Sequence, residues 1–138
     1  MAATDYTKDK ILDYVFGKQA FDPGNTIYAG LATSVNNAGI VVGEPSTTVG
    51  YDRVPVTNND VATVWSTSVS GAKSNGNGQI TFGTVTSSDW GTLGYFFLSD
   101  GSTAGNILWW STMTAPIVTS VGMAPYVDTG NLTMTITT

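Results

Sequence analysis

The chain has no cysteine and no histidine, and only four lysines and one arginine among 138 residues. Without cysteine there is no disulfide framework and no thiolate metal site, although this leaves the redox compartment open. Without histidine the sequence lacks the commonest general base and the commonest transition-metal ligand, and a Ser/His/Asp site cannot be assembled. So few cations leave little to track a phosphate backbone. Ten acids bring the net charge to −5, and nucleic acid is not an expected partner. No apolar run approaches the roughly 18 residues of a membrane span. The N-terminus, M-A-A-T-D-Y-T-K-D-K, lacks the basic-then-apolar order of a signal peptide. No membrane partner is expected, and the chain reads as made in the cytoplasm. Disorder is excluded as well, because charged residues are only 11% while hydrophobic residues reach 41% and aromatics number 15.

What is present is organised around residues 90–112, W-G-T-L-G-Y-F-F-L-S-D-G-S-T-A-G-N-I-L-W-W-S-T. Two apolar runs, 93–98 and 107–110, flank a turn-rich loop at 100–106. There Asp100-Gly101 and Gly105 tolerate the positive φ a hairpin needs. Strict alternation places Leu93, Tyr95 and Phe97 on one face, with Phe96 and Leu98 on the other. In the second run it pairs Ile107 with Trp109, and Leu108 with Trp110. Both faces are apolar, so the hairpin is expected mid-sheet and covered on both sides. The predicted cover is a helix over residues 7–16, whose Ile11, Leu12, Val15 and Phe16 form one apolar stripe. Asp5 or Thr7 would cap its start, and Gly17 sits where a C′ glycine ends a helix. A neighbouring subunit is the other available cover.

The remaining segments read as short strands. Residues 21–25 are a Pro/Gly turn, and 26–33 alternate with Ile27, Ala29 and Leu31 on one side. Residues 34–50 read as a long surface loop with a short strand at 40–42. Pro55 makes 51–57 an edge or bulged strand. Residues 61–65 are short and apolar, Trp65 closing one end of the core, and 66–78 form a flexible Gly/Asn/Ser connection. Ile80 and Phe82 point inward from 79–85. Residues 113–119 precede a turn region, 120–130, and 131–138 alternate Leu132, Met134 and Ile136 with threonines, as in a half-buried strand. The total is about eight strands, the spacing of an all-β, mainly antiparallel β-sandwich or jelly roll. It carries one short N-terminal helix, in a single domain over 1–138.

Candidate chemistry is sparse. Gly71-Ala72-Lys73-Ser74 ends like a P-loop, but Ala72 replaces the required glycine and a strand-like Q-I-T-F follows. Asp89 and Asp100 flank one strand and would lie about 30 Å apart at ~3.3 Å per residue, too far for an acid/base pair, so both read as turn residues. Ser/Lys catalysis is formally open, yet no lysine lies in an apolar run. Calcium is the metal the composition allows, but no D-x-D-x-D-G spacing appears. Asn131-Leu132-Thr133 matches a glycosylation sequon at the start of a predicted strand. No catalytic, cofactor-binding or metal-binding residue is assigned, and no cofactor is expected. Most aromatics fall in core runs; Tyr28, Tyr51 and Tyr126 are the uncommitted ones that an aromatic sugar-binding platform would draw on.

The order of segments adds a further reading. K-I-L-D-Y-V-F-G-K (10–18), T-I-Y-A-G-L-A-T (26–33), E-P-S-T-T-V-G-Y-D-R-V-P-V-T (44–57), K-S-N-G-N-G-Q-I-T-F (73–82), W-G-T-L-G-Y-F-F-L-S-D (90–100) and G-N-I-L-W-W-S-T (105–112) together resemble a family of small tailed-bacteriophage virion proteins. Its members are variously labelled head-decoration (cement) or tail-fibre proteins. The resemblance implies a β-sandwich virion protein without enzymatic activity. It implies partners among the major capsid protein or other virion proteins, and a homo-oligomer with a trimer favoured. The leading expectation is a capsid decoration protein that cements the head. The alternative is a tail-fibre or baseplate module binding a host receptor, a glycan by preference, through loop aromatics such as Tyr51 or Tyr126. Residues 34–43 and 120–129 depart most from the family pattern and are where surface specificity is expected.

Overall fold

The computed structural model describes residues 1–22, 26–58 and 64–135. Within them the order is β1 (Ala2–Ala3), α1 (Asp5–Val15), β2 (Thr26–Ala32), β3 (Ser34–Val35), β4 (Val41–Val42) and β5 (Val54–Asn58). There follow β6 (Ala72–Ser74), β7 (Ile80–Thr81), β8 (Thr92–Ser99), β9 (Ile107–Val118), β10 (Tyr126–Val127) and β11 (Thr133–Thr135). The fold is all-β and antiparallel with one short helix, as the alternation predicts. Five strands form one sheet in the order β1-β9-β8-β2-β5, and the others pair as the ribbons β10-β7, β11-β6 and β3-β4. The predicted hairpin is β8-β9, with β8 the central strand. Residues 23–25, 59–63 and 136–138, which hold most of the 21–25 turn, much of the 61–65 run and the end of the last strand, lie outside the described residues.

β5 is an edge strand, as Pro55 requires, and its register against β2 slips so that Val56 is skipped between Thr57 and Pro55. Two further slips, in the β8-β9 ladder, change which side chains share a face. One lies between Leu93 and Tyr95, the other between Leu98 and Ser99, where Leu98 pairs with Trp109 and Ser99 with Ile107. Each slip reverses the inside–outside alternation beyond it. Leu93 therefore joins Phe96 and Leu98 in the larger core with Ala29 and Leu31, while Ile107 joins Phe97 and Ala32 in a smaller cluster with Trp110 beside it. The uninterrupted alternation expected from sequence fails at these two points for that reason.

The larger core is closed by the β10-β7 ribbon and the strand leading into β11. Ile80, Phe82, Val127 and Leu132 are all buried against the sheet, together with Trp65 and Trp90. The smaller face is closed by the β3-β4 ribbon, through Val35 and Val41. On this face Gly30 lies opposite Phe97, and a Cβ there would collide with the Phe97 ring.

The helix is not that cover. Thr4, rather than Asp5 or Thr7, is its N-cap, accepting from the Thr7 amide, and Gly17 follows its C-cap at φ 71°. Leu108, skipped by the ladder, presents its carbonyl to the Thr4 amide at 3.0 Å and the Thr7 hydroxyl at 2.8 Å. The Asp5 amide donates to the carbonyl of Asn37, at the tip of the β3-β4 turn. The helix is thus seated by its polar N-terminal turn, and Thr7 is its buried residue. The stripe expected to dock stands mostly in solvent, Leu12, Val15 and Phe16 being 55%, 65% and 80% exposed.

Candidate functional site

The part of β9 beyond Trp110 has a partner on one side only. β1 pairs with Trp109 and Trp110, whereas residues up to Val118 pair with β8 alone. Beside this strand, facing its Ser111, Thr112 and Thr114, runs a groove of about 550 Å³. Its opposite wall is Tyr126, Asp128, Asn131 and Thr133, and the buried Phe96, Val127 and Leu132 contribute to its lining. No lysine or arginine lines it, and residues 101–127 contain no charged side chain at all.

The far wall is built by two glycine turns and one buried amide. Met123 donates to Ser120 across Gly122 (φ 87°), and Asn131 donates to Asp128 across Gly130 (φ 82°). Glycine at the third position of each turn supplies the positive φ of a type II turn. Asn75, in the stretch read as a flexible connection, is fully buried. Its side-chain amide donates to the carbonyls of Asp128 at 2.8 Å and Gly78 at 3.2 Å, and its oxygen accepts from the Leu132 amide at 3.0 Å. A buried amide with its partners in place fixes the chain around it, because each unmade bond would cost desolvation. Gln79 donates to one Asp128 carboxylate oxygen at 3.0 Å, which orients that side chain on the wall. Sequence reasoning missed Asn75, and the one available signal was an Asn-Gly-Asn-Gly run next to a clean strand.

Of the three uncommitted tyrosines, Tyr126 is 49% exposed on the groove wall. Tyr28 is half-buried in β2. Tyr51, expected on an exposed loop, is 2% exposed, and that expectation is corrected. Its ring stacks parallel to Phe82 and edge-on to Trp90, 5.3 Å between centroids. Its hydroxyl accepts from the Leu31 amide and donates to Glu44. Burial, then the adjacent Glu44 carboxylate, push its pKa well above the ordinary tyrosine value.

Glu44 also receives the only arginine. Arg53 Nε and Nη2 reach its two carboxylate oxygens at 2.7 and 2.8 Å. Nη1 donates to Ser99 Oγ and to the carbonyls of Gly101 and Ala104. The guanidinium lies 4.9 Å from the Phe97 ring centroid, so the pair both locks the β8-β9 loop and completes the smaller cluster's cover. With these polar atoms engaged, the pair is a structural tie.

The other candidates resolve as turns and strands. Val69 and Ala72 exchange both backbone hydrogen bonds around Ser70 (φ 51°) and Gly71 (φ 76°), a two-residue type I′ hairpin, and Lys73 lies in β6. Asp100 closes the β8-β9 loop by accepting from the Asn106 amide and side chain, while Asp89 lies before the other end of β8. Among the described residues no three His, Cys, Asp or Glu side chains are grouped to hold a metal ion. Also among the described residues, no helix is long and apolar enough to cross a membrane.

What the groove offers is an exposed phenol ring, hydroxyls, an amide and one oriented carboxylate, beside an open strand. That is a binding surface for an uncharged, hydrogen-bonding ligand. No curated protein sequence matches the chain. A family model does, over residues 2–135, and its description is podophage GP4 fiber I protein gp80. The match runs through the helix, the central hairpin and both groove walls, and the chain therefore belongs to this family of phage virion structural proteins.

Proposed function

We propose that the protein is a fibre module of a phage particle, non-enzymatic, which as a homo-oligomer contacts a neutral glycan of the host surface through the Tyr126 groove. The observation carrying this reading is the groove's chemistry in a chain whose family is named for a fibre: an exposed aromatic face, hydroxyls and amides, and no cation. Aromatic faces stack on the C–H faces of pyranose rings, and the surrounding hydroxyls, amide and carboxylate match sugar hydroxyls. An acidic glycan would meet Asp128 with no compensating positive charge.

The capsid-decoration reading drew its force from a doubly apolar hairpin in need of a neighbour's cover. The chain's own β3-β4 ribbon and Arg53 provide that cover, which favours the fibre. Copy number separates the two, measured by quantitative mass spectrometry of purified virions against the major capsid protein. A few copies, in threes, sixes or twelves, are expected, and hundreds would place the protein on the shell. Binding of the purified oligomer to host cells is the second test. Tyr126→Ala should weaken it at least about tenfold, roughly 1.4 kcal/mol. Equal binding by the variant would remove the groove from the reading.

A further inference from the structure

The C-terminal half of the helix has an inward face with nothing beneath it. Thr7 is buried against the Leu108 carbonyl. At about 100° per residue the same face continues through Ile11 to Tyr14 and Val15. Ile11 is half-buried, but Tyr14 and Val15 are 62% and 65% exposed. Leu12 and Phe16 adjoin them, Phe16 being 80% exposed. Next to this flank an open cleft of about 730 Å³ is lined by Ile11, Leu12, Trp109 and residues 1–3. Taking an aromatic side chain at about 200 Å², Tyr14 and Phe16 alone leave roughly 280 Å² in water. With Leu12, Val15 and the cleft wall, the patch exceeds the few hundred Å² ordinary for a monomer and approaches the ~800 Å² per partner of a stable interface.

Charge selects the occupant. Between residues 5 and 18 three aspartates (5, 9, 13) face three lysines (8, 10, 18), so this segment is neutral. The rest of the chain holds seven acids against two bases and carries the whole net charge of −5. Two copies meeting elsewhere bring like charge together, whereas two copies meeting through the helix do not, and each offers aspartates to the other's lysines. We infer that a second copy of this chain covers the overhanging helix, packing Leu12, Val15 and Phe16 of one copy against the helix and cleft of the other. The inference rests on the oligomeric part of the reading above and names its interface.

The test is sedimentation equilibrium of the intact protein from micromolar to about 100 µM, beside Leu12→Gln/Phe16→Lys, whose new residues preserve helix propensity. The wild type should be an oligomer and the double variant a single chain with an unchanged far-UV spectrum and at least a hundredfold weaker association. A wild type at single-chain mass throughout would overturn both the oligomer and its interface. An oligomer equally stable in the variant would overturn the helix interface alone, and so would an oligomer dissolved instead by Thr114→Lys on the open strand. If the double variant loses its helix signal, Phe16→Ser at the most exposed position repeats the comparison with the same criteria.

Discussion

The helix and the β3-β4 ribbon use their apolar residues in opposite ways. The helix carries the strongest amphipathic stripe in the chain and leaves most of it in water. The ribbon reads as a polar loop, yet it closes the second face of the sheet with little more than Val35 and Val41. Backbone chemistry decides between them. The ladder skips Leu108, leaving a carbonyl that needs donors, and the first turn of a helix has amides and a cap hydroxyl to give. The helix is therefore placed by its polar end, and its apolar end goes where that placement sends it. The ribbon needs only a tight turn, at Gly39, to lay two valines across Phe97 and Ile107. A hydrophobic pattern shows that a face must be covered without saying by what.

The most severe way to break this contrast is to open the ribbon's side. Arg53 is 6% exposed, lies over Phe97 and holds Glu44, which is itself 22% exposed. Arg53→Met keeps the bulk but leaves that carboxylate, and three acceptors at the β8-β9 loop, without their donor. The expected loss is about 3 kcal/mol, the lower end for a broken buried pair because Glu44 retains some solvent. Chemical denaturation measures it; a loss under about 1 kcal/mol would mean that the loop and ribbon are held by packing alone.

How far the sequence reaches follows the same division. β2, β8 and the start of β9 were legible because alternating apolar residues are a direct image of the pleat, and Pro55 correctly put β5 at an edge. The face assignments of Leu93 and Ile107 were not, since period two assumes an unbroken ladder and nothing in T-L-G-Y or N-I-L-W announces a slipped pair. Tyr126 was legible as an aromatic outside any apolar run. Tyr51 met the same criterion and is buried, because a segment outside the sheet can still cross the core when its hydroxyl finds Glu44 and Leu31. Asn75 and Arg53 were hidden for a related reason: a buried polar group is identified by its partners, which lie far along the chain.

A gentler probe is pH. Tyr51 keeps its proton in the fold well beyond the point where an unfolded tyrosine ionises, near pH 10. The folded chain then binds one more proton than the unfolded chain. Stability from this group is complete below about pH 10 and falls as pH rises above it, by up to about 1.4 kcal/mol per unit. The exposed tyrosines and lysines titrate alike in wild type and in Tyr51→Phe, so the variant should show the same decline less one proton's slope. Identical slopes between pH 10 and 11.5 would mean the phenol is not held as the structure has it.

The smallest expected effect sharpens the comparison most. If the helix is seated by its cap, Thr4→Ala removes the acceptor for the Thr7 amide and the hydroxyl that reaches the Ile107 and Leu108 carbonyls. It should cost about 1 kcal/mol, the usual worth of an N-cap. Phe16→Ser, which removes a far larger apolar side chain, should cost the monomer less than about 0.5 kcal/mol, since an 80% exposed ring contributes little burial. Hydrophobic counting orders these two the other way round. Thermal melts of both variants at a concentration low enough to keep the wild type monomeric decide the order. A costlier Phe16 variant would mean that the helix docks through its stripe after all.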